Sequence, residues 1–161
     1  MYFYLVRHGE AKSELEDPLR PLSAEGKKGV EAVASLLGRL GTRPAEINCS
    51  EKLRARETAE IIANRLSIID RLKTMKGLAP NDAVNPVAEL LCAEDKSLML
   101  VGHLPFLSRL LSLLVISDPE HPIVSFQAGG IVCLERDDSL KFPAPGNGWI
   151  IKWVLSPESV Y

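Results

Sequence analysis

Cysteine is scarce and scattered: Cys49, Cys92 and Cys133 stand far apart in the chain. That spacing makes no CxxC pair and no Cys/His cluster, so neither a zinc site nor a disulfide framework is expected. Three reduced thiols packed as small hydrophobes is the expected arrangement. A cationic excess is also missing. Lys and Arg number 19 against 21 Asp and Glu, for a formal charge of −2, which argues against a nucleic-acid partner and leaves room for a local basic site. Long apolar runs are absent too. The greasiest stretch, Leu104–Ile116, is broken by Pro105, Ser108, Arg109 and Ser112, well short of the ~18 residues of a membrane span. The apolar start Met1–Val6 runs straight into Arg7 and His8, unlike a secretory leader. A soluble, cytoplasmic protein with no membrane partner is expected, and a monomer is favoured. Charged residues make up 25% of the chain, an ordinary share that argues against disorder. Its 161 residues suit one domain with a full core.

What is present alternates between strand-like and helix-like segments, the pattern of a layered α/β fold. Tyr2–Val6 reads as a buried strand. Ser23–Leu40 reads as a helix, with Val30, Val33, Ala34 and Leu37 on one stripe. Ser23 suits the N-cap and Gly41 the position past the C-terminus. Ile47–Cys49 is a short strand. Leu53–Leu66 is a helix that turns Ala55, Ala59, Ile62 and Leu66 inward and an Arg56–Glu60 pair outward. A short strand is expected over Ile68–Leu72 and a proline-initiated helix over Pro86–Ala93. Leu98–Val101 reads as a buried strand and Pro105–Ile116 as an apolar helix. Ile131–Glu135 and Trp149–Leu155 read as strands joined through a Pro143–Gly148 loop. Two successive strands with no helix between them imply at least one antiparallel pairing, hence a mixed sheet. No period is clear in Lys73–Asn85.

Three groups of reactive residues follow strands directly: Arg7-His8-Gly9-Glu10, Ser50 with Arg54 and Thr58, and Gly102-His103-Leu104-Pro105. In an open α/β sheet, ligands bind beyond the carboxyl ends of the strands. If these three strands are parallel, two arginines and two histidines converge there. Arginine forks suit phosphate oxygens, helix N-termini add N–H donors, and a histidine among them can attack or move protons. No carboxylate cluster accompanies them, so no metal ligands are assigned. The constellation points to metal-free phosphoryl transfer through a phosphorylated histidine.

Taken singly, each residue has a plainer reading. His8 and His103 pass for structural histidines, Arg54 for a surface helix charge, Arg20-Pro21-Leu22-Ser23 for a turn into a helix, and His121 for a loop residue. Glu10 reads as an acid catalyst or, preferably, as a carboxylate at a helix start.

The combination changes that balance. Leu5-Val6-Arg7-His8-Gly9-Glu10-Ala11 resembles the signature of the histidine phosphatase superfamily, the phosphoglycerate mutase-like group. Ser50-Glu51-Lys52-Leu53-Arg54-Ala55-Arg56-Glu57-Thr58 and Val101-Gly102-His103-Leu104-Pro105 resemble its second and third blocks, in the right order. Within the superfamily the chain is similar to the small SixA-type phosphohistidine phosphatases, by its compact length, by Asp17-Pro18-Leu19-Arg20-Pro21-Leu22-Ser23 before a helix, and by the Leu-Pro pair after the second histidine.

The resemblance implies a three-layer α/β/α sandwich with a mixed, mostly parallel central sheet. It implies a single domain over residues 1–161 without a cap insertion. His8 would be the nucleophile, with Arg7, Arg54 and His103 around the phosphoryl group. No cofactor is implied, and the partner would be a phosphohistidine-bearing protein. Arg20 is expected at the substrate rim. Two departures stand out. Glu51 replaces a proline common after the serine, and Gly77 stands where larger relatives carry an acid glutamate, leaving Asp82 or Glu10 as the carboxylates available. That loss suits a leaving group needing little protonation, such as the imidazole of phosphohistidine. A small-molecule phosphomonoesterase and a non-catalytic phosphoprotein-binding module are the alternatives.

Overall fold

Alternation along the strands decides the layering. In β1 (Tyr2–Arg7), Phe3 and Leu5 join one buried cluster while Tyr4 and Val6 join another. β4 (Leu98–Gly102) divides in the same way, with Leu98 and Leu100 on one side and Met99 and Val101 on the other. Strands apolar on both faces need cover on both faces. The computed structural model describes residues 1–140 and 143–160, and it supplies that cover. Helices α1 (Ala24–Arg39) and α2 (Leu53–Arg65) pack on the Tyr4/Val6 side. Helices α3 (Asn85–Ala93) and α4 (Phe106–Ile116) pack on the Phe3/Leu5 side.

With β2 (Glu46–Cys49), β3 (Leu72–Thr74), β5 (Ile131–Arg136) and β6 (Trp149–Leu155), the sheet has six strands in the order β3-β2-β4-β1-β5-β6. The pairs β3–β2, β2–β4 and β4–β1 are parallel. β5 is antiparallel to both β1 and β6. The architecture is therefore the expected α/β/α sandwich with a mixed, mostly parallel sheet. Register sets where the central strands end. Val6 lies beside Val101, and Cys49 lies beside the same Val101, so β1, β2 and β4 end level with one another.

The helices begin and end where their chemistry dictates. The Ser23 side chain accepts from the Gly26 N–H and caps α1, and Gly41, at φ +70°, follows its last turn in the left-handed conformation glycine tolerates. Pro86 sits in the first turn of α3, where a missing N–H costs nothing. Gly26 serves a different purpose: a Cβ there would overlap the carbonyl of Glu10, so its absence lets α1 lie directly on the loop that leaves β1.

One expected element is displaced. Ile68–Leu72 is not a strand; Ile69–Arg71 forms a 3-10 turn and β3 begins at Leu72. Ser67 turns left-handed at φ 59°, and the N–H of Ile68 donates to the Ala63 carbonyl, so the buried Ile68 anchors the end of α2 rather than opening a strand. Pairing starts only where Leu72 comes beside Ile47. Among the described residues, no helix is long and apolar enough to cross a membrane.

Candidate active site

The level ends of β1, β2 and β4 place the three sequence groups side by side. The His8 N–H donates to the Gly102 carbonyl (3.0 Å) and the Ser50 N–H to the Val101 carbonyl (2.9 Å), so all three strand exits are tied together by backbone. The rings of His8 and His103 lie 5.0 Å apart between centroids.

The protonation of His8 is dictated by its contacts. Its Nδ1 lies 2.7 Å from the Gly9 carbonyl oxygen, which can only accept, so Nδ1 carries the proton. Nε2 is then the bare nitrogen, and it accepts from Arg54 Nε at 3.3 Å. Arg54 is itself held by Thr58, one turn along α2. The Thr58 hydroxyl donates to the Arg54 carbonyl (2.7 Å) and accepts from the Gly9 N–H (3.0 Å), pinning the loop after β1 to α2. Arg7 donates through Nη1 to the Phe126 carbonyl (2.8 Å). Its buried Nε has no hydrogen-bond partner among the described residues.

His103 is fully buried, with Nε2 2.8 Å from the Ser50 hydroxyl. Its Nδ1 is buried and has no hydrogen-bond partner among the described residues. Buried polar atoms without partners are rare, and each calls for an explanation. Here Arg7 Nε, which can only donate, and His103 Nδ1 are both without partners, and the charged groups around His103 are the cations Arg54, Lys52 and Arg20. An oxyanion is the chemical species that suits an unpartnered guanidinium N–H among cations.

Two clefts flank the start of α2. One, of about 600 Å³, is lined by Arg20, Arg54 and Arg56 together with Glu14, Leu19 and Pro80 among others. The second, of about 480 Å³, is lined by Ser50, Lys52, Lys76 and Asp82 among others. His8 and His103 line neither, but each makes a hydrogen bond to a residue that does: Arg54 in the first cleft, Ser50 in the second. Arg20 stands on the wall of the first, in a left-handed conformation (φ 49°), with its Nε donating to the Lys12 carbonyl (3.2 Å).

The two weak acid candidates are occupied otherwise. The Glu10 carboxylate accepts from the Ser23 hydroxyl (3.1 Å) at the start of α1, and Asp82 accepts from the Ala79 N–H (2.8 Å) within its own loop. Among the described residues, no three His, Cys, Asp or Glu side chains gather as a metal site would require. Ser50 and Thr58 are visible in sequence as parts of a motif, at fourfold spacing with Arg54. What they touch is not. The Phe126 and Gly129 contacts come from a loop with no pattern of its own, in which Gly129 N–H donates to the His8 carbonyl (3.0 Å).

Electrostatics favour neutral rings. Burial, and then the charges of Arg54, Arg7 and Arg20, push His8 down to about 4 despite its bond to Gly9. Burial, and then His8, Arg54, Lys52 and Arg20, push His103 down to about 3. Burial also lowers Arg7 and Arg54, which remain charged. Unfolded histidine titrates at about 6.5, so the unfolded chain takes up protons first as the pH falls. The stability these rings contribute is complete above that value and is lost as the pH drops through about 4 for His8 and about 3 for His103. A bound dianion offsets the arginine charges and raises both values. Histidine NMR titration should therefore give acid-shifted midpoints in the free protein and an upward move on adding tungstate. Midpoints near the unperturbed value, unmoved by tungstate, would contradict this electrostatic picture.

Known proteins resemble this chain in sequence and in fold. The model of the histidine phosphatase superfamily, branch 1, matches residues 3–80, which hold Arg7, His8 and Arg54. An uncharacterised protein of Picosynechococcus sp. is 33% identical over 136 residues, 80% of this chain and 82% of its own length. Phosphohistidine phosphatase SixA of Escherichia coli is 26% identical over 162 residues, 98% of this chain and 94% of its own. A structure of the protein histidine phosphatase SixA complexed with tungstate is 25% identical and superposes with a TM-score of 0.84, covering 100% of both chains.

Proposed function

We propose that this chain, which belongs to the histidine phosphatase superfamily, hydrolyses phosphohistidine on a protein substrate through a phosphorylated His8. The observation that carries the reading is the state of His8: Nδ1 is fixed as donor to Gly9, and the free Nε2 lone pair lies against Arg54. In the first step, Nε2 attacks phosphorus and the bond from phosphorus to the substrate nitrogen breaks. A substrate ring already protonated at its far nitrogen departs as neutral imidazole and needs no acid from the enzyme. Water then attacks phospho-His8, releasing inorganic phosphate and restoring the lone pair. Most of the catalysis is positioning and charge stabilisation. Arg7, Arg54 and His103 supply it as fixed donors, which is why the reading assigns no role to a metal. Arg20 is assigned to the rim of the cleft.

Two features support a phosphohistidine rather than an ester. The family resemblance sets Gly77 where larger relatives carry a glutamate, while Asp82 is engaged within its own loop and Glu10 with Ser23 at the start of α1. The name of one relative points the same way, phosphohistidine phosphatase SixA of Escherichia coli, while the tungstate in the SixA structure, a tetrahedral oxyanion, supports a phosphoryl site without distinguishing the leaving group. The reading includes a single domain over residues 1–161, no inserted cap, and a cytoplasmic setting. The test is kcat/KM for a phosphohistidine protein against a sugar phosphate, with EDTA present. The phosphohistidine protein should be preferred, and EDTA should have no effect. A wide preference for the sugar phosphate would make the small-molecule phosphatase the better account, and turnover of neither would favour a binding module.

A further inference from the structure

We propose that Ser50 is a positioning residue: its hydroxyl donates to Nε2 of His103, so that His103 keeps its proton on Nδ1 and offers that N–H to the phosphoryl group. The phosphoryl contact rests on the proposed phosphatase function; the tautomer does not.

Sheet register brings the two residues together. β2 and β4 run parallel with Cys49 beside Val101, so the residue after Cys49 and the residue two after Val101 emerge at the same edge. The Ser50 N–H is tied to the Val101 carbonyl at 2.9 Å, which fixes its hydroxyl at the His103 ring edge, 2.8 Å from Nε2. Both side chains are sealed from solvent, at 2% and 1% exposure. At this degree of burial the hydroxyl and the ring settle their proton arrangement chiefly with each other, although Ser50 also borders the second cleft.

Two arrangements are conceivable. If Nε2 carried the proton, it would donate to the Ser50 oxygen. The Ser50 O–H would then need another acceptor, and among the described residues its remaining contact is with a donor, the Lys52 N–H at 3.5 Å. Nδ1 would then be a buried lone pair with no donor to satisfy it, and it would repel rather than bind a phosphoryl oxygen. If instead Ser50 donates to Nε2, its oxygen stays free to accept from Lys52, and every group is used according to its chemistry. Nδ1–H is then a buried donor without a partner, and a phosphoryl oxygen satisfies it. The ring delivers that hydrogen bond while neutral, in keeping with the cationic neighbours Arg54, Lys52 and Arg20 that resist a further charge.

Nitrogen NMR on histidine-labelled protein reads the tautomer directly, and with three histidines in the chain the His103 signals are assigned by their loss in His103→Gln. The wild-type protein should show the proton on Nδ1 of His103. Ser50→Ala should abolish that single tautomer and lower kcat by roughly 10- to 100-fold, the usual cost of losing an outer partner that orients a histidine, with little change in KM. The proton found on Nε2 in the wild type, or the Nδ1–H tautomer kept intact in Ser50→Ala, would overturn the proposal. The wild-type spectrum decides the matter even if the variant fails to fold. It also separates the two claims: Nδ1–H in a protein without phosphatase activity sinks the function and leaves the role of Ser50 standing.

Discussion

Replacing His8 with alanine should remove turnover almost entirely, by roughly 10⁴- to 10⁶-fold, the scale seen when an enzyme loses its nucleophile. The expectation rests on geometry that no neighbouring residue can reproduce. His8 leaves β1 with its backbone held at both ends, by Gly102 and Gly129, and with one ring nitrogen fixed on Gly9 so that the other is bare. The other ring in the site cannot substitute. His103 has Nε2 engaged by Ser50 and is completely buried. The measurement is kcat on a phosphohistidine protein, with thermal unfolding as a control. Since removing the ring opens space without breaking the backbone ties, the variant should remain folded. Turnover within tenfold of wild type would remove His8 from its assigned place.

The second large effect belongs to Arg54. Removing one preorganised donor typically lowers kcat by about 10²–10³-fold, and Arg54→Ala should fall in that range. Arg54→Lys should not restore the rate, because an ammonium is a point charge and cannot make the paired contacts of a guanidinium fork. A second readout separates this role from simple packing. The Arg54 charge is among the causes that lower His8, so its removal should raise the His8 midpoint above about 4. Steady-state kinetics and an NMR titration of the same variant check both. A change confined to KM would mean that Arg54 binds ground state and transition state alike, and an unmoved His8 midpoint would mean that the two side chains are not coupled.

The fold is legible in the sequence where periodicity is strong. The stripes Val30, Val33, Ala34, Leu37 and Ala55, Ala59, Ile62, Leu66 are all buried as expected, because a 3.6-residue period is a property of the segment itself. The caps of α1 are legible for the same reason: Ser23 and Gly41 act within one turn of the helix. The sequence misplaces β3 because apolar content does not separate a strand from an anchor. Ile68 is as buried as a strand residue, yet its N–H closes the end of α2. What sets the start of β3 is pairing with Ile47, a partner 25 residues earlier in the sequence, and no local pattern records it.

The site divides along the same line. Strand-to-loop motifs mark Arg7, His8, Arg54 and His103, and the parallel register of β1, β4 and β2 brings those motifs to one edge. Hidden from the sequence are the contacts that set their protonation and aim. Thr58 bridging Arg54 to Gly9, the Phe126 carbonyl on Arg7 and Ser50 on His103 depend on placement of segments distant in sequence, and the Gly9 carbonyl on His8 depends on a local backbone turn that no residue pattern records. Arg20 marks the limit from the other side. A turn before a helix explains its neighbours, but its left-handed backbone and its place on the cleft wall with Arg54 emerge only in three dimensions.

The central claim is that the phosphoryl group passes through His8, and rapid quenching during turnover tests it most directly. Wild-type protein mixed with a radiolabelled phosphohistidine protein and stopped within milliseconds should carry covalent phosphate that is stable in alkali and lost in acid, as a phosphorus–nitrogen bond requires. Digestion and peptide mapping should place it on His8, with formation and decay rates that account for kcat. Turnover at full rate with no trapped phosphoenzyme, or with the label mapped to any other residue, would contradict the account.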